Sequence, residues 1–101
     1  MAKRSAIEKN NLRRSLTAQY KNRRDNLRKI FRDKDLPAEE RYAAMAKLSE
    51  MPRNSSKTRI RLRCEFSGRP RGNYRKFRLS RIAIRDFGLQ GMIPGLTKAS
   101  W

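Results

Sequence analysis

The charge balance of this chain constrains its fold more than any other feature. Of 101 residues, 27 are Lys or Arg and 9 are Asp or Glu, giving a formal net charge of +18. Like charges held in a small body repel one another, and a polyanionic partner relieves that repulsion. Arginine outnumbers lysine 18 to 9, and its planar guanidinium suits bidentate phosphate contacts and stacking on bases. The predicted partner is therefore a structured nucleic acid rather than a lipid surface.

The apolar content sets a second limit. Hydrophobic residues make up 37% of the chain, and the mean hydropathy is −0.98. A chain this short buries only about 60 to 65% of its unfolded surface, and here that surface is unusually polar. We expect one domain at most, with a small core.

Signals for membranes or secretion are weak. No apolar run approaches the roughly 20 residues that span a bilayer, and no apolar segment follows the basic start. A single cysteine, Cys64, forms no internal disulfide, which fits a reducing cytoplasm. The Arg-rich start also resembles a transit peptide, although Glu8 argues against one. The expected location is the cytoplasm rather than an organelle.

Two helices are predicted in the first half. Residues 3–34 contain neither Pro nor Gly, and their apolar positions are mostly four apart, which predicts one long helix with a narrow apolar stripe. Residues 33–52 predict a second helix, with Pro37 at its first position and Pro52 closing it. Five of the nine acidic residues lie between Asp33 and Glu50, so we expect this second helix to face solvent or a protein neighbour.

The composition changes after Pro52. Residues 58–64 alternate apolar and cationic side chains, which predicts a strand. A short third helix is predicted from Ser80 as N-cap, with Gly88 or Gly91 as its stop. We therefore divide the chain into a helical extension, residues 1–52, and a compact basic module, residues 53–101.

The turn at residues 67–72 has two competing interpretations. Its Gly-Arg-Pro-Arg-Gly sequence is typical of hooks that insert arginine into an A·T minor groove of DNA. Such hooks usually recur in disordered chains, whereas here there is one copy between two structured segments. Positions 64, 67, 80 and 83 also have the Cys-x2-Cys-x12-Cys-x2-Cys spacing of a zinc site. Only Cys64 carries a ligand there, and a structural zinc site needs four, so the expectation is that no metal binds.

Two motifs carry a family resemblance. The stretch "RCEFSGRPRGNYRKFRLSR" and the terminal "GMIPGLTKASW" resemble the S-fourteen family of bacterial small-subunit ribosomal proteins, and the resemblance covers essentially the whole chain. One form of that family holds zinc through cysteines at the four spaced positions. This chain resembles the longer, zinc-free form, with vestigial ligand positions at Cys64, Ser67, Ser80 and Ala83.

The resemblance implies a fold and a function. The expected fold is mainly α and irregular, with a long basic N-terminal helical arm and a small C-terminal zinc-ribbon-like module that lacks its metal. The expected function is that of a structural constituent of the small ribosomal subunit head, which binds small-subunit ribosomal RNA and supports assembly and the decoding (A-site) region. Implied partners are that RNA and head proteins of the S-three, S-ten and S-nineteen families. No cofactor, membrane or small-molecule substrate is expected.

Within the basic module, Cys64 is expected to be an inert, packed thiol. Without metal, a cluster of apolar side chains has to close the module: Phe66, Tyr74, Phe77, Leu79, Ile82 and Phe87. Tyr74 is equally compatible with core packing and with stacking on a base, whereas core packing is favoured for Phe77. The predicted RNA-binding residues of the chain are Arg13, Arg14, Arg23, Arg24, Arg28, Arg59, Arg61, Arg63, Arg69, Arg71, Tyr74, Arg75, Lys76, Arg78, Arg81, Arg85, Lys98 and Trp101.

Two other function classes compete with this one. A ribonuclease needs general acid and base groups, and the chain has no His, with only Glu65 and Asp86 in the basic module. No enzymatic activity is therefore expected. A DNA-binding nucleoid protein that uses the Gly-Arg-Pro hook is the alternative function.

Overall fold

The computed structural model describes residues 2–100. Within that range the chain is mainly helical, as expected. The elements in chain order are helix α1 (Arg4–Arg32), helix α2 (Ala38–Glu50), two 3-10 turns (Arg53–Ser55 and Lys57–Arg59), strands β1 (Asn73–Tyr74) and β2 (Leu79–Ser80), and helix α3 (Arg81–Leu89). The strands pair antiparallel, with Asn73 opposite Ser80 and Tyr74 opposite Leu79.

The long first helix is confirmed. It runs without interruption for 29 residues because no Pro or Gly breaks its ladder. Lys29 and Arg32 lie in its last turn, where cations interact favourably with the negative end of the helix dipole. The helix ends where the amide of Asp33 bonds to the Lys29 carbonyl at 3.1 Å.

The second helix is shorter than the segment that predicted it. Pro37 is the N-cap residue rather than the first helical residue, and its extended backbone has ψ 146°. Glu39 and Glu40 occupy the first turn, where the dipole favours anions. Met51 adopts an extended conformation at the C-terminus, as residues before proline do, and Pro52 follows.

The strand predicted for residues 58–64 is wrong. The chain there forms a 3-10 turn over Lys57–Arg59 and then an irregular segment. The amide of Ile60 bonds locally to the Lys57 carbonyl at 3.3 Å, and no other described segment pairs with residues 58–64 as a strand. Alternation of side chains describes a surface with two faces, but a strand also needs a partner for its backbone groups.

The third helix confirms both predicted ends. The Ser80 Oγ accepts a hydrogen bond from the Ala83 amide at 3.2 Å, which satisfies a free N–H of the first turn. At the other end, the Met92 amide bonds to the Phe87 carbonyl and the Gly91 amide to the Gly88 carbonyl. These bonds form a Schellman motif with Gly91 at φ 71°, the left-handed residue that this motif requires. Gly88 lies inside the helix.

The chain folds as two compact units. One comprises residues 9–60, and the other joins residues 2–8 to residues 61–100. In the first unit, Ser55 is fully buried and accepts a hydrogen bond from Arg24 Nε at 2.9 Å. The predicted division into a helical extension, residues 1–52, and a compact basic module, residues 53–101, stays a prediction.

The core of the second unit is small. Cys64 and Ala83 are its buried apolar side chains among the described residues, and Ser80 is buried beside them. The expectation that six apolar side chains close this unit was wrong for three of them, because Phe66, Tyr74 and Ile82 are 70%, 55% and 48% exposed. Hydrogen bonds of the backbone and of serine therefore contribute to closure where apolar burial is scarce. Phe66 still contacts Phe87 edge to face, with ring centroids 5.1 Å apart.

Candidate nucleic-acid interface

A tight turn at residues 64–69, called the knuckle below, organises the second unit. The Gly68 amide bonds to the Cys64 carbonyl at 2.8 Å, and the Cys64 amide bonds to the Arg69 carbonyl at 3.0 Å. The Ser67 amide donates to Cys64 Sγ at 3.4 Å. These bonds fold the chain back on itself around the sulfur.

A hairpin over residues 73–80 packs on the knuckle. The Glu65 amide bonds to the Arg78 carbonyl at 3.0 Å, and the Arg78 amide bonds to the Tyr74 carbonyl at 2.8 Å. Arg78 has φ 54°, a left-handed conformation that few residues other than glycine adopt. The Arg81 amide bonds to the Gly72 carbonyl at 2.8 Å, which ties the start of α3 to the same turn.

The four vestigial ligand positions are linked through hydrogen bonds. The side chains and amides of Ser67 and Ser80 bond to the Cys64 thiol, and Ser80 Oγ also accepts from the Ala83 amide. Burial raises the pKa of the Cys64 thiol. These hydrogen bonds lower the pKa by a larger amount, so the net result is a pKa of about 6. Bonds to the charged form favour that form. Cys64 is buried, with 3% of the residue exposed.

This donor set does not fit zinc. Of the four positions only Cys64 carries a metal ligand of the usual types, and zinc requires four. In residues 2–100 no cluster of three or more His, Cys, Asp or Glu side chains is placed to hold a metal ion. Serine hydroxyls and amides fill the positions around the sulfur and hold the knuckle closed.

The first residues of α1 pack against the knuckle. A Cβ built on Gly68 would lie 2.6 Å from Ile7 Cδ1 and 3.3 Å from Ala2 Cβ. Gly68 also has φ 76°. Glycine is therefore required at this position both by the backbone conformation and by the close approach of Ile7.

Three of the predicted RNA-binding arginines brace the fold. Arg61 Nε donates to the Pro70 carbonyl at 2.9 Å, Arg63 Nη1 donates to the Gly68 carbonyl at 2.9 Å, and Arg69 Nε donates to the Arg71 carbonyl at 3.0 Å. Arg63 and Arg69 are half-buried, and Arg61 is exposed. Arg63 Nε is buried without a hydrogen-bond partner among the described residues. Arg63 thus supports the turn, and its contact with RNA stays a prediction.

Five other predicted cations of this unit are exposed and form no ion pair with a described residue. They are called the exposed cation set: Arg71, Arg75, Arg81, Arg85 and Lys98. Two further cations have partners. Arg78 lies 3.6 Å from the Glu65 carboxylate, and Lys76 Nζ lies 5.6 Å from the centroid of the Phe77 ring. Because exposed ion pairs contribute little free energy, Arg78 remains available to an anion.

The predicted cations of the other unit also divide into two groups. Arg13 Nε donates to Asn54 Oδ1 at 3.4 Å, and its Nη1 donates to the Arg59 carbonyl at 3.4 Å; Arg24 is bound to Ser55. Arg23 lies over the Tyr20 ring at 5.7 Å. The side chains of the remaining predicted cations of this unit form no hydrogen bond or ion pair within residues 2–100: Arg14, Arg28 and Arg59.

The aromatic predictions resolve differently for each ring. Tyr74 is 55% exposed, which leaves its face accessible for stacking. Phe77 is half-buried, in agreement with the core packing favoured for it. Trp101 lies outside the described residues.

Asn73 is a positioning residue that sequence reasoning missed. Its Nδ2 donates to the Leu62 carbonyl at 3.1 Å and to the Arg69 carbonyl at 2.7 Å, so it joins the irregular segment, the knuckle and the hairpin. A single Asn beside a Gly-rich turn gives no sequence signal for this role, because its side chain reaches the Leu62 and Arg69 carbonyls only once the turn has folded.

The folded turn disfavours the minor-groove hook. Gly68 is buried, Arg69 is half-buried, and the Arg69 side chain is bound to its own turn. A hook needs an extended, adaptable segment whose arginines insert into the groove.

Within residues 2–100, no helix is both long and apolar enough to cross a membrane.

The fold and the candidate interface together define the class of protein: it is small, mainly helical and strongly cationic, and its second unit is built around a knuckle whose residues do not fit a metal. The family model for ribosomal protein S14p/S29e matches residues 47–100. Over the full length of both chains, the sequence is 61% identical to small ribosomal subunit protein uS14 of Bradyrhizobium diazoefficiens. It is 59% and 58% identical, again over both full lengths, to proteins of that name from Maricaulis maris and Rhodospirillum centenum. The chain belongs to the ribosomal protein S14p/S29e family.

Membership confirms the resemblance seen in the two sequence motifs, one of which lies entirely within the matched residues. It also confirms the expectation of a protein without enzymatic activity, because the family is one of ribosomal proteins. The replacement of three of the four ligands agrees with a zinc-free form.

Proposed function

We propose that this protein is a structural constituent of the small ribosomal subunit, located in its head, where it binds small-subunit ribosomal RNA. The observation that carries the proposal is the exposed cation set on a unit with few acids. Relatives named small ribosomal subunit protein uS14 match the chain from end to end. Those relatives are bacterial, which supports the bacterial cytoplasm, within the ribosome, as its location.

The exposed cation set suits the backbone of folded RNA. Arg71 and Arg75 flank β1 at the hairpin, and Arg81 and Arg85 lie on α3. Cations on two elements of one unit can contact phosphates of different RNA strands that meet at a junction. Phosphate contacts position the protein without reading sequence, and each contact makes affinity more sensitive to salt. The protein thereby holds strands together that would otherwise repel.

Helix α1 supplies a separate cationic surface. Arg14 and Arg23 are exposed and Arg28 is half-buried. With 29 residues at about 1.5 Å each, α1 is roughly 43 Å long. A cationic helix of that length follows an RNA backbone over several phosphates. This arm adds its phosphate contacts to those of the compact module.

Helix α2 is the proposed contact for protein neighbours. It presents exposed Glu39, Glu40 and Glu50, and its apolar Tyr42 and Met45 are 70% and 48% exposed. Acidic and apolar side chains together suit a protein surface better than RNA. The neighbours proposed are head proteins of the S-three, S-ten and S-nineteen families, and the proposed consequence is support of assembly and of the decoding (A-site) region.

The first test is sedimentation. Cell lysate is separated on a sucrose gradient at about 0.5 M salt, where isolated phosphate contacts are strongly screened. Co-sedimentation with the small subunit at near-stoichiometric amount is expected. Recovery at the top of the gradient, or together with DNA, contradicts the proposal.

Charge reversal then tests the site. Full-length protein with Arg71→Glu and Arg75→Glu is compared with a variant that carries Lys34→Glu and Lys47→Glu. Both variants change the net charge equally, and all four side chains are exposed. Only the first pair is expected to prevent incorporation into reconstituted small subunits; equal incorporation of both variants contradicts the assignment.

The neighbour contact has its own test. Glu39, Glu40 and Glu50 are replaced by Gln in assembled particles, and the cross-links from α2 to neighbouring proteins are mapped. Loss of those cross-links is expected because the acids supply charge complementarity at the contact. An unchanged cross-link pattern contradicts the role of α2.

A further inference from the structure

A cleft opens between α3 and the segment that follows it. Its volume is about 490 Å³, and its lining includes Tyr74 from the hairpin, Arg81, Arg85 and Leu89 from α3, and Leu96 and Lys98 from the last segment. This volume falls within the range of sites that bind small molecules, about 300 to 1,000 Å³. All these residues belong to one compact unit.

Gly88 brings the two walls of the cleft together. A Cβ built on Gly88 would lie 2.6 Å from Leu96 Cδ2, so glycine allows Leu96 to approach the helix closely. The Schellman motif at Gly91 reverses the chain after α3, and the Leu96 amide bonds to the Ile93 carbonyl at 3.4 Å. The cleft is thus formed by the helix end and the returning chain.

The lining combines two chemistries. Arg81, Arg85 and Lys98 contribute three cations, and no acidic residue is among the described residues that line the cleft. Tyr74 and Leu89 are 55% and 59% exposed, so an aromatic ring and an aliphatic side chain remain accessible. A ligand that matches this lining has a flat, partly apolar body and at least one negative charge.

The helix geometry places the cations together. Arg81 and Arg85 are four residues apart, so their side chains lie on the same face of α3, with Ile84 and Gly88 adjacent to them. Arg81 is also the first residue of α3, where the positive end of the helix dipole adds to the attraction for an anion. Lys98 reaches the cleft from the other wall.

We propose that this cleft binds one unpaired nucleotide of RNA. Its base stacks on Tyr74 and contacts Leu89, and its phosphates bind Arg81, Arg85 and Lys98. The proposal rests on the proposed ribosomal RNA-binding function and assigns one part of the surface to a single extruded base. Aromatic side chains bind unpaired bases in this way because every base presents a π face. A protein ligand is disfavoured because the walls carry three cations and, among the described residues, no acid.

The test uses the full-length protein and small-subunit ribosomal RNA. Affinity is measured over a series of salt concentrations for the wild type and for Tyr74→Leu, Tyr74→Phe and Arg85→Gln. Loss of stacking in Tyr74→Leu is expected to weaken binding about 5- to 150-fold without changing the salt slope. Tyr74→Phe keeps the ring and is expected to bind as the wild type does. Arg85→Gln is expected to lower the slope by about 0.7 to 0.9.

Base probing in reconstituted particles gives a second readout. One unpaired base is expected to be protected by the wild type and by Tyr74→Phe, and to become reactive with Tyr74→Leu. Leu89→Ser, which changes an exposed residue on the α3 wall of the cleft, is expected to expose the same base. Agreement between the two variants separates loss of the cleft from misfolding of either one.

The outcomes distinguish the two proposals. If the wild type fails to bind ribosomal RNA, the proposed function fails. If the wild type binds and Tyr74→Leu binds equally well with unchanged base protection, the cleft proposal alone is overturned. Photocross-linking of Tyr74 to a protein rather than to a nucleotide also overturns it.

Discussion

The amide of Ser67 donates a hydrogen bond to the Sγ of Cys64 across 3.4 Å, at the place where a zinc knuckle would hold its metal. Ser80 adds further bonds to the same sulfur, and its hydroxyl also caps α3. A sulfur and two serines therefore connect the knuckle to the helix that carries Arg81 and Arg85. The position of these cations depends on an interior stabilised by hydrogen bonds.

The first prediction concerns pH. The pKa of Cys64 is lowered from 9.0 to about 6 in the folded protein, so between these values the unfolded chain binds a proton that the folded chain does not. The free energy of unfolding is therefore expected to rise from about pH 6 to about pH 9, and this gain is lost as the pH falls through 6.

The measurement is chemical denaturation across that pH range, compared with Cys64→Ser, which lacks the titrating thiol. Thiolate absorbance of the folded wild type gives the pKa directly. Parallel pH profiles of the two proteins, or a thiol that titrates near 9, would show that the serines do not stabilise the thiolate.

The second prediction concerns Gly68. Gly68→Ala places a methyl group against Ile7 and imposes a left-handed conformation on alanine, so we expect a destabilisation on the order of 1 to 3 kcal/mol or more. Gly72→Ala is the matched control, because Gly72 has φ 65° but its nearest neighbour, Arg81 Cδ, is 3.6 Å away. The comparison separates backbone strain from the close contact.

Thermal and denaturant unfolding measure both variants. Adding Ile7→Ala to Gly68→Ala is expected to recover part of the loss, since it removes the contacting atoms. Equal destabilisation by Gly68→Ala and Gly72→Ala would argue that the approach of Ile7 carries no cost.

The third prediction concerns the cap of α3. Ser80→Ala removes the acceptor for the Ala83 amide and the side-chain bond to Cys64, and we expect a loss of about 1 kcal/mol from the cap, together with a higher pKa of the thiol. Ser49→Ala is the control, because the Ser49 Oγ donates to the Met45 carbonyl on an exposed helix face, where such bonds add little stability. Equilibrium unfolding that ranks the two variants equally is the contrary result.

The fourth prediction separates two arginines eight residues apart. Arg63→Gln is expected to destabilise the fold, because it removes the bond to the Gly68 carbonyl from a half-buried position. Arg71→Gln is expected to leave stability within about 0.5 kcal/mol and to weaken RNA binding through a lost phosphate contact. Melting and RNA affinity are measured for both; a reversed pattern would exchange their roles.

The elements whose signals are local follow from the sequence alone. A 29-residue helix without Pro or Gly, a serine at an N-cap and a glycine after the last turn each depend on their own stretch of backbone, and α1 and α3 result from them. The charge excess and the two C-terminal motifs likewise identified the family, because both are properties of the sequence itself.

Features that depend on distant partners are set only by the tertiary fold. Residues 58–64 alternate like a strand but pair with no described strand, and Phe66 and Ile82 look like core residues but remain exposed because serines and amides surround Cys64 instead. Arg63 and Arg71 are the same residue type in the sequence. In the fold, Arg63 bonds to the carbonyl of the buried Gly68, whereas Arg71 is exposed to solvent. A backbone acceptor enters the reach of a side chain only when the chain folds, so the division between bracing and exposed cations is fixed in three dimensions.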